Sequence, residues 1–364
     1  MADRKLRIAL IGTGFMGKAH SNAYAQVRHF FDVPFEIERR VLCARDPERL
    51  RKMASTWGWA ETETDWRAVV ERKDIDIVDV AVPNALHAPI AIAAAGEGKT
   101  VFCEKPLAIS GAEAARMAEA ARNMPTMVWY NYRRVPAVAF ARQLIDQDRI
   151  GRVFHYRAAY LQQSGNDPTR PPTWKTEKAQ AGSGAIGDLL SHVIDTALYL
   201  NGPIAEVTAL AQTFKPGRDV DDACVLLARF ENGSIGTFEA TRYGVGCRNR
   251  NAFEMNGARG MLRFNLEDLN RLEFLDATEP RNTQGERNLL VTGPDQPYSG
   301  NFWKPGHIIG YEHTFIAALG DFLRALAEGK AFHPNFEDGL GTQRVLDAVE
   351  RSAQSRAWEK PEVR

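Results

Sequence analysis

The sequence predicts an α/β protein of two domains, a doubly wound parallel sheet followed by an α/β domain with a large, mostly antiparallel open sheet. Three observations carry that expectation. From Leu6 to Tyr132, short apolar runs alternate with longer segments of helical period, as in a parallel sheet with crossover helices. After Arg134 the texture changes to apolar runs separated by turn signals such as "ENGS" and "NGARG", as in hairpins. A length of 364 residues accommodates two domains of ordinary size. The domains are placed at 1–134 and 135–364.

In chain order, the strands of the first domain are "LRIALIG", "EIERRVLCA", "IDIVDVAVP", "TVFCE" and "TMVWYNY". Between them lie helices around Lys18 to Arg28, Pro47 to Trp57, Ala85 to Gly96 and Gly111 to Arg122. Asp46 before Pro47 reads as a helix cap followed by a first-turn proline. The second domain opens with a helix from Pro136 to Asp148 and continues in the strands "VFHYRAAYL", "IAEVTALAQTF", "DACVLLARF" and "SIGTFEATRY". Asn270 to Lys304 is polar and rich in Pro and Gly, so it is expected to be irregular. Helices from Glu312 to Glu328 and from Phe336 to Ala353 close the chain.

Acidic and basic residues balance at 46 each, which removes the electrostatic footprint of a nucleic-acid binder. No apolar run approaches the ~18 residues of a membrane span, and "MADRKLRIALIG" passes into a strand without a signal-peptide core. The expected partners are small molecules and other subunits, the expected location the cytoplasm, with no membrane partner. Cys43, Cys103, Cys224 and Cys247 show no metal-ligand spacing and read as reduced, mostly buried thiols, so no metal site is expected.

"GTGFMG" sets Gly12, Gly14 and Gly17 in G-x-G-x-x-G spacing between a strand and a helix, with Phe15 and Met16 inside the run. Gly12 permits the tight turn, Gly14 lets the backbone approach a pyrophosphate, and Gly17 allows close helix packing. The residues that select the cofactor are Ala44, Arg45 and Asp46. An acid at the strand end favours NAD, whereas an arginine accepts a 2′-phosphate. NAD is preferred and NADP stays open. Pro83, Asn84 and His87 in "VPNALH" follow a strand end, where ligands of open α/β sheets bind.

In the second domain, "AGSGAIGDLLSHVIDTALYL" runs from glycines into a helix that carries Asp188 and His192 four residues apart, on one face. Asp195 and Tyr199 continue that face, and Ile186, Leu189, Leu190, Val193, Ile194, Ala197 and Leu198 form the apolar one. The glycines are expected to let the backbone pass close to a bound ligand.

The "GxGxxGxxH" run from Gly12 to His20, "VPNALH", "EKP" at Glu104 to Pro106 and "GDLLSH" together resemble the Gfo/Idh/MocA oxidoreductases, over essentially the whole chain. "NYRRVPA", "RAAYLQ" and "AGSGAIGDLLSHVID" look most like the sugar and inositol dehydrogenases of that family, the levoglucosan dehydrogenase type included. The resemblance implies a Rossmann domain, then a substrate-binding and oligomerisation domain whose open sheet serves dimer or tetramer contacts. It implies oxidation of a ring hydroxyl by NAD(P), with Glu104 and Lys105 joining the cofactor residues. Lys105 then sits at the junction of nicotinamide and substrate, while Asp188 and His192 line the substrate pocket. The missing acid at Ala44 departs from the family pattern.

Oxidising a secondary alcohol requires a base within hydrogen-bond reach of its proton, and histidine suits that task. His192 is therefore the expected base. Lys105 would stabilise negative charge on the reacting oxygen, and Asp188 would accept sugar hydroxyls and hold His192 in place. Tyr132, Arg133, Tyr160, Gln162 and Trp174 are the further substrate contacts. Two other functions compete: a redox glycosidase that oxidises a glycoside transiently on tightly held NAD, and a non-catalytic nucleotide sensor.

Overall fold

The computed structural model describes residues 4–167, 169 and 171–362. They form two units, Met1–Asn131 with Tyr311–Leu340, and Tyr132–Gly310 with Gly341–Arg364.

The first unit alternates β1 (Arg4–Ile11), α1 (Phe15–Phe30), β2 (Phe35–Cys43), α2 (Pro47–Trp57), β3 (Glu61–Glu63), α3 (Trp66–Glu71), β4 (Ile77–Val80), α4 (His87–Gly96), β5 (Thr100–Cys103), α5 (Gly111–Ala120) and β6 (Thr126–Val128). The strands are all parallel, in the order β3-β2-β1-β4-β5-β6. That is the dinucleotide-binding order, in which the chain reverses direction across the sheet between β1 and β4. Asp46 does cap α2, its Oδ1 accepting from the Glu48 and Arg49 amides. β3 escaped the sequence reading because "ETE" is a three-residue polar edge strand with no apolar run to announce it. β4 lies at the centre and is wholly buried, so Asp79 within it must find partners inside the protein.

The second unit comprises α6 (Pro136–Asp146), β7 (Val153–Leu161), α7 (Lys178–Ala181), α8 (Ser191–Asn201), β8 (Ile204–Gln212), β9 (Ala223–Phe230), β10 (Ile235–Thr241), β11 (Arg250–Gly257), β12 (Gly260–Asn265), β13 (Arg271–Asp276), β14 (Arg287–Leu290) and α9 (Ser299–Phe302). Its eight strands are ordered β14-β13-β12-β11-β7-β10-β9-β8, and every pair is antiparallel except β7 with β10. Alternation along β9 buries Cys224, Leu226, Ala228 and Phe230 and turns Val225 and Leu227 outward. "ENGS" and "NGARG" are indeed the turns of the β9–β10 and β11–β12 hairpins.

The segment from Asn270 to Lys304 is not irregular throughout: β13 and β14 extend the sheet from it. Leu272 and Phe274 supply the buried face of β13, and the polar residues between them diluted the apolar signal.

The chain ends in α10 (Tyr311–Glu328) and α11 (Phe336–Ser355). The expectation that all of 135–364 forms the second domain needs correction, because 311–340 belongs to the first unit. The Val128 amide donates to the Pro334 carbonyl at 2.9 Å, the Phe336 amide to Thr126 Oγ1 at 3.1 Å, and Gly320 of α10 lies against the Phe31 ring. All four cysteines are free thiols. Burial pushes Cys43 up to about 12 and holds Cys103 and Cys224 well above their ordinary value.

Candidate functional site

In the first unit, the carboxyl end of β1 runs into the glycine loop. Gly12 has φ 126°, and a Cβ there would overlap the Ala81 carbonyl oxygen. A Cβ on Gly17 would overlap the carbonyl of Gly12. Both glycines are demanded by the protein's own packing. Gly14 differs: it is the N-cap of α1, no side chain caps the helix there, and nothing lies within 4 Å of where its Cβ would stand. An open, uncapped helix start is a cradle for an anion. Met16 lies half-buried in the first turn, and Phe15 is exposed, stacked on Tyr311 at 6.0 Å.

Arg45 stands exposed beyond β2, and the carboxylate of Asp46 is engaged by its own helix. Beyond β4, Pro83 is half-buried and Asn84 is buried. The His87 ring is fully enclosed, Nδ1 at 3.0 Å from the Pro106 carbonyl and Nε2 at 3.0 Å from that of Val82. Burial pulls His87 below its ordinary value. Its ring offers no edge to a cofactor, so it shapes the loop rather than lining it.

Beyond β5, Glu104 is buried and turned inward. Its Oε1 is 3.0 Å from His20 Nε2, and its Oε2 accepts from the Lys105 amide at 3.1 Å. His20 Nδ1 meets Asp79 Oδ2 at 2.9 Å, and Asp79 also accepts from Tyr24 Oη and Trp129 Nε1. The His20 and Trp129 rings stack at 4.2 Å. Burial alone would depress His20, but the charge of Asp79 and the bonds to both carboxylates outweigh it and push it up to about 9. Within 101–108, Lys105 is the single residue that is not buried.

In the second unit, the glycine approach to α8 packs against the segment of Asp221. A Cβ on Gly184 would collide with the Asp221 carbonyl oxygen. The Asp221 carboxylate accepts from the amides of Gly184 and Ile186 at 2.6 and 2.9 Å, and its carbonyl takes the Ala185 amide. Ile186–Leu190 is then a π-helical turn that carries Asp188, and the α-helix that follows it carries His192.

Glu350 of α11 lies beside this turn, hydrogen-bonded to Ser183 and near Asp221, Asp347 and Lys178; its pKa is pushed up to about 7, mainly by burial. The folded protein therefore holds this proton at pH values where the unfolded chain has released it. Stability contributed by the neutral carboxyl is complete below the ordinary value of 4.5 and lost as the pH rises to about 7. Glu350→Gln should match the wild type in urea unfolding at the acid end of that window and exceed it by up to about 3 kcal/mol above neutrality. Equal midpoints at both ends would refute this.

His192 is buried against two tyrosines, the Tyr132 ring at 4.6 Å and the Tyr160 ring at 5.7 Å. The two hydroxyls are 3.2 Å apart. Tyr160 Oη donates to Asn249 Oδ1 at 2.7 Å, and Gln162 Nε2 donates to the same oxygen at 2.9 Å. Tyr132, Tyr160, Gln162 and His192 therefore lie in one cluster, and Asn249, which the sequence did not single out, joins them. With the Tyr160 proton directed to Asn249, Tyr132 must supply the proton between the two hydroxyls.

Asp188 is gripped by Lys175 Nζ at 2.9 and 3.1 Å and by Arg242 Nη2 at 3.2 Å, two cations absent from the sequence reading. Trp174, half-buried in a 3-10 turn, precedes Lys175. Arg133 needs correction as a substrate contact. Its guanidinium makes a buried bidentate pair with Asp195 at 2.6 and 2.9 Å, so the carboxylate expected to continue the polar face of the helix is engaged inside the protein. Among the described residues, no group of three or more His, Cys, Asp or Glu side chains is arranged to hold a metal ion, and no helix is long and apolar enough to cross a membrane.

Comparison with known proteins agrees with the fold of both units. Residues 6–132 match the profile of an oxidoreductase family with an NAD-binding Rossmann fold, and residues 138–263 match the GFO/IDH/MocA C-terminal domain. Levoglucosan dehydrogenase of Pseudarthrobacter phenanthrenivorans is 40% identical, with 98% of each chain covered. An oxidoreductase domain protein from Kribbella flavida superposes with a TM-score of 0.96 at 48% identity, over 99% of this chain and 100% of that one. A levoglucosan dehydrogenase solved with NADH and levoglucosan superposes with a TM-score of 0.96 at 41% identity, over 98% and 99% of the two chains.

Proposed function

The chain belongs to the Gfo/Idh/MocA family of NAD-binding oxidoreductases, and from that membership we propose an NAD-dependent dehydrogenase that oxidises a ring hydroxyl of an anhydrosugar, sugar or inositol to the ketone. The observation that carries this reading is Lys105, the partly exposed residue of a buried run, at the carboxyl edge of a sheet whose first strand ends in the open Gly14 cradle.

The residues present fit the cofactor. The amides opening α1 at Phe15 and Met16 would hold the pyrophosphate, with the positive end of the helix behind them. Bound NAD supplies the acceptor for the hydride that leaves the carbinol carbon. The Lys105 ammonium donates a hydrogen bond to the reacting oxygen and stabilises the charge that grows there. His192 takes the hydroxyl proton, its ring held by Tyr132 and Tyr160. Asp188, oriented by Lys175 and Arg242, accepts hydrogen bonds from neighbouring hydroxyls of the ring. Asn249 anchors Tyr160 and Gln162 for the same purpose.

NAD rather than NADP is supported by the NADH complexes of the levoglucosan dehydrogenase relative. A self-associating chain is supported by the open sheet face, where Leu210, Val225, Leu227 and Ile235 are each at least half exposed.

Purified protein should be given levoglucosan, inositols and simple hexoses with either cofactor, and nicotinamide absorbance followed. The expected result is reduction of NAD by a cyclic polyol at a higher kcat/KM than NADP. No reduction with any of them would contradict the proposal.

A further inference from the structure

The reading of Lys105 as catalytic leaves open what fixes its place, and the inference below rests on that reading. Lys105 follows β5 in a segment whose neighbours are tied inward on both sides. Ahead of it, the Glu104 amide donates to the Val80 carbonyl at 2.9 Å, and the Glu104 carboxylate splits its two oxygens between the Lys105 amide and His20. Behind it, the Pro106 carbonyl meets Nδ1 of the enclosed His87.

His20 is the unusual part. Both of its ring nitrogens face carboxylate oxygens, and a carboxylate can only accept, so both nitrogens must donate and the ring must carry a proton on each. One buried cation thus bridges two buried anions that come from neighbouring strands, Asp79 within β4 and Glu104 after β5. Burying three charges is costly, and replacing such a set with apolar residues is often neutral or stabilising. A pure packing role would be served as well without them.

We propose that the Asp79–His20–Glu104 bridge positions Lys105: His20 locks the Glu104 carboxylate in the rotamer that takes the Lys105 amide, and so fixes where the lysine side chain leaves the strand end. His20, Asp79 and Glu104 touch neither substrate nor cofactor in this role. Trp129 Nε1 holds the other oxygen of Asp79, Oδ1, so the bridge keeps its foot without the Tyr24 hydroxyl.

The test compares His20→Gln with a control, Tyr24→Phe, which removes one hydrogen bond on Asp79 and leaves the Glu104 side intact. For each, the melting temperature, NADH affinity and stoichiometry by fluorescence, and kcat per bound cofactor are measured. His20→Gln is expected to lower kcat by about 10- to 100-fold, with the KM for the sugar and the NADH affinity within about threefold of wild type. Tyr24→Phe is expected to melt earlier with kcat per site unchanged. Because His20→Gln leaves a buried carboxylate uncompensated, amide hydrogen exchange on the wild type gives a second reading that requires no variant. The Lys105 amide should exchange only through global opening. Wild-type kcat in His20→Gln, a parallel loss of NADH affinity, an equal kcat loss in Tyr24→Phe, or rapid exchange at Lys105 would each overturn the proposal. Failure of the wild type itself to oxidise any cyclic polyol would instead sink the dehydrogenase reading, and hydrogen exchange would still decide the bridge.

Discussion

Lys105→Met is expected to lower kcat by about 10³-fold while leaving NADH affinity within about threefold of wild type. Methionine keeps the length and apolar contacts of the lysine stem and removes only the ammonium. The alkoxide-like charge that grows on the reacting oxygen then loses its donor, while the ground-state hydroxyl, which is neutral, loses little. Such a loss belongs in kcat rather than KM, since the missing interaction strengthens only as the transition state is approached. The surrounding segment should keep its shape, because Glu104 and Pro106 anchor it. A variant that binds NADH poorly and turns over normally once saturated would place Lys105 with the cofactor alone.

His192→Asn is expected to lower kcat by about 10²- to 10³-fold at neutral pH, with part of the loss recovered as the pH rises. Asparagine retains a polar group against Tyr132 and Tyr160 but takes no proton at ordinary pH, so solvent hydroxide must do the work. The recovery separates a missing base from a damaged pocket, because damage would not mend in alkali. Retention of wild-type kcat in His192→Asn would remove the histidine from the chemistry. The tyrosine hydroxyl pair, with its proton order set by Asn249, would then be the group to examine.

The glycine loop and the histidine–tyrosine cluster were legible in the sequence for different reasons. Gly12, Gly14 and Gly17 carry a spacing that geometry dictates, and the structure divides their labour: two serve the fold and Gly14 leaves the open space. Tyr132, Tyr160, Gln162 and His192 were found through their place at strand ends or in recurring strings, and they do assemble. Asn249, Lys175 and Arg242 were not found, because each reaches its partner across many residues of chain and none sits in a string of recognisable spacing. Such contacts are set by sheet register and loop path, which single-sequence periodicity does not contain.

The errors also have physical causes. The glycine approach to α8 suggested a ligand, yet the backbone it admits is that of Asp221, 37 residues further along. Arg133 looked like a substrate contact because it ends a strand, but a bidentate carboxylate waits for it in the core. The turn that carries Asp188 is a π turn, which residue spacing alone does not announce. His20 was visible as the last letter of its motif without any sign of its purpose, since its two anions lie on strands far along the chain.

The products formed from one cyclic polyol, ideally levoglucosan, should be counted with limiting protein and excess NAD. One NADH should form for each molecule of sugar converted, with the sugar recovered as its ketone. Release of a ring-opened or hydrolysed sugar with no net NADH would contradict it, and would assign the same residues to transient oxidation and elimination instead.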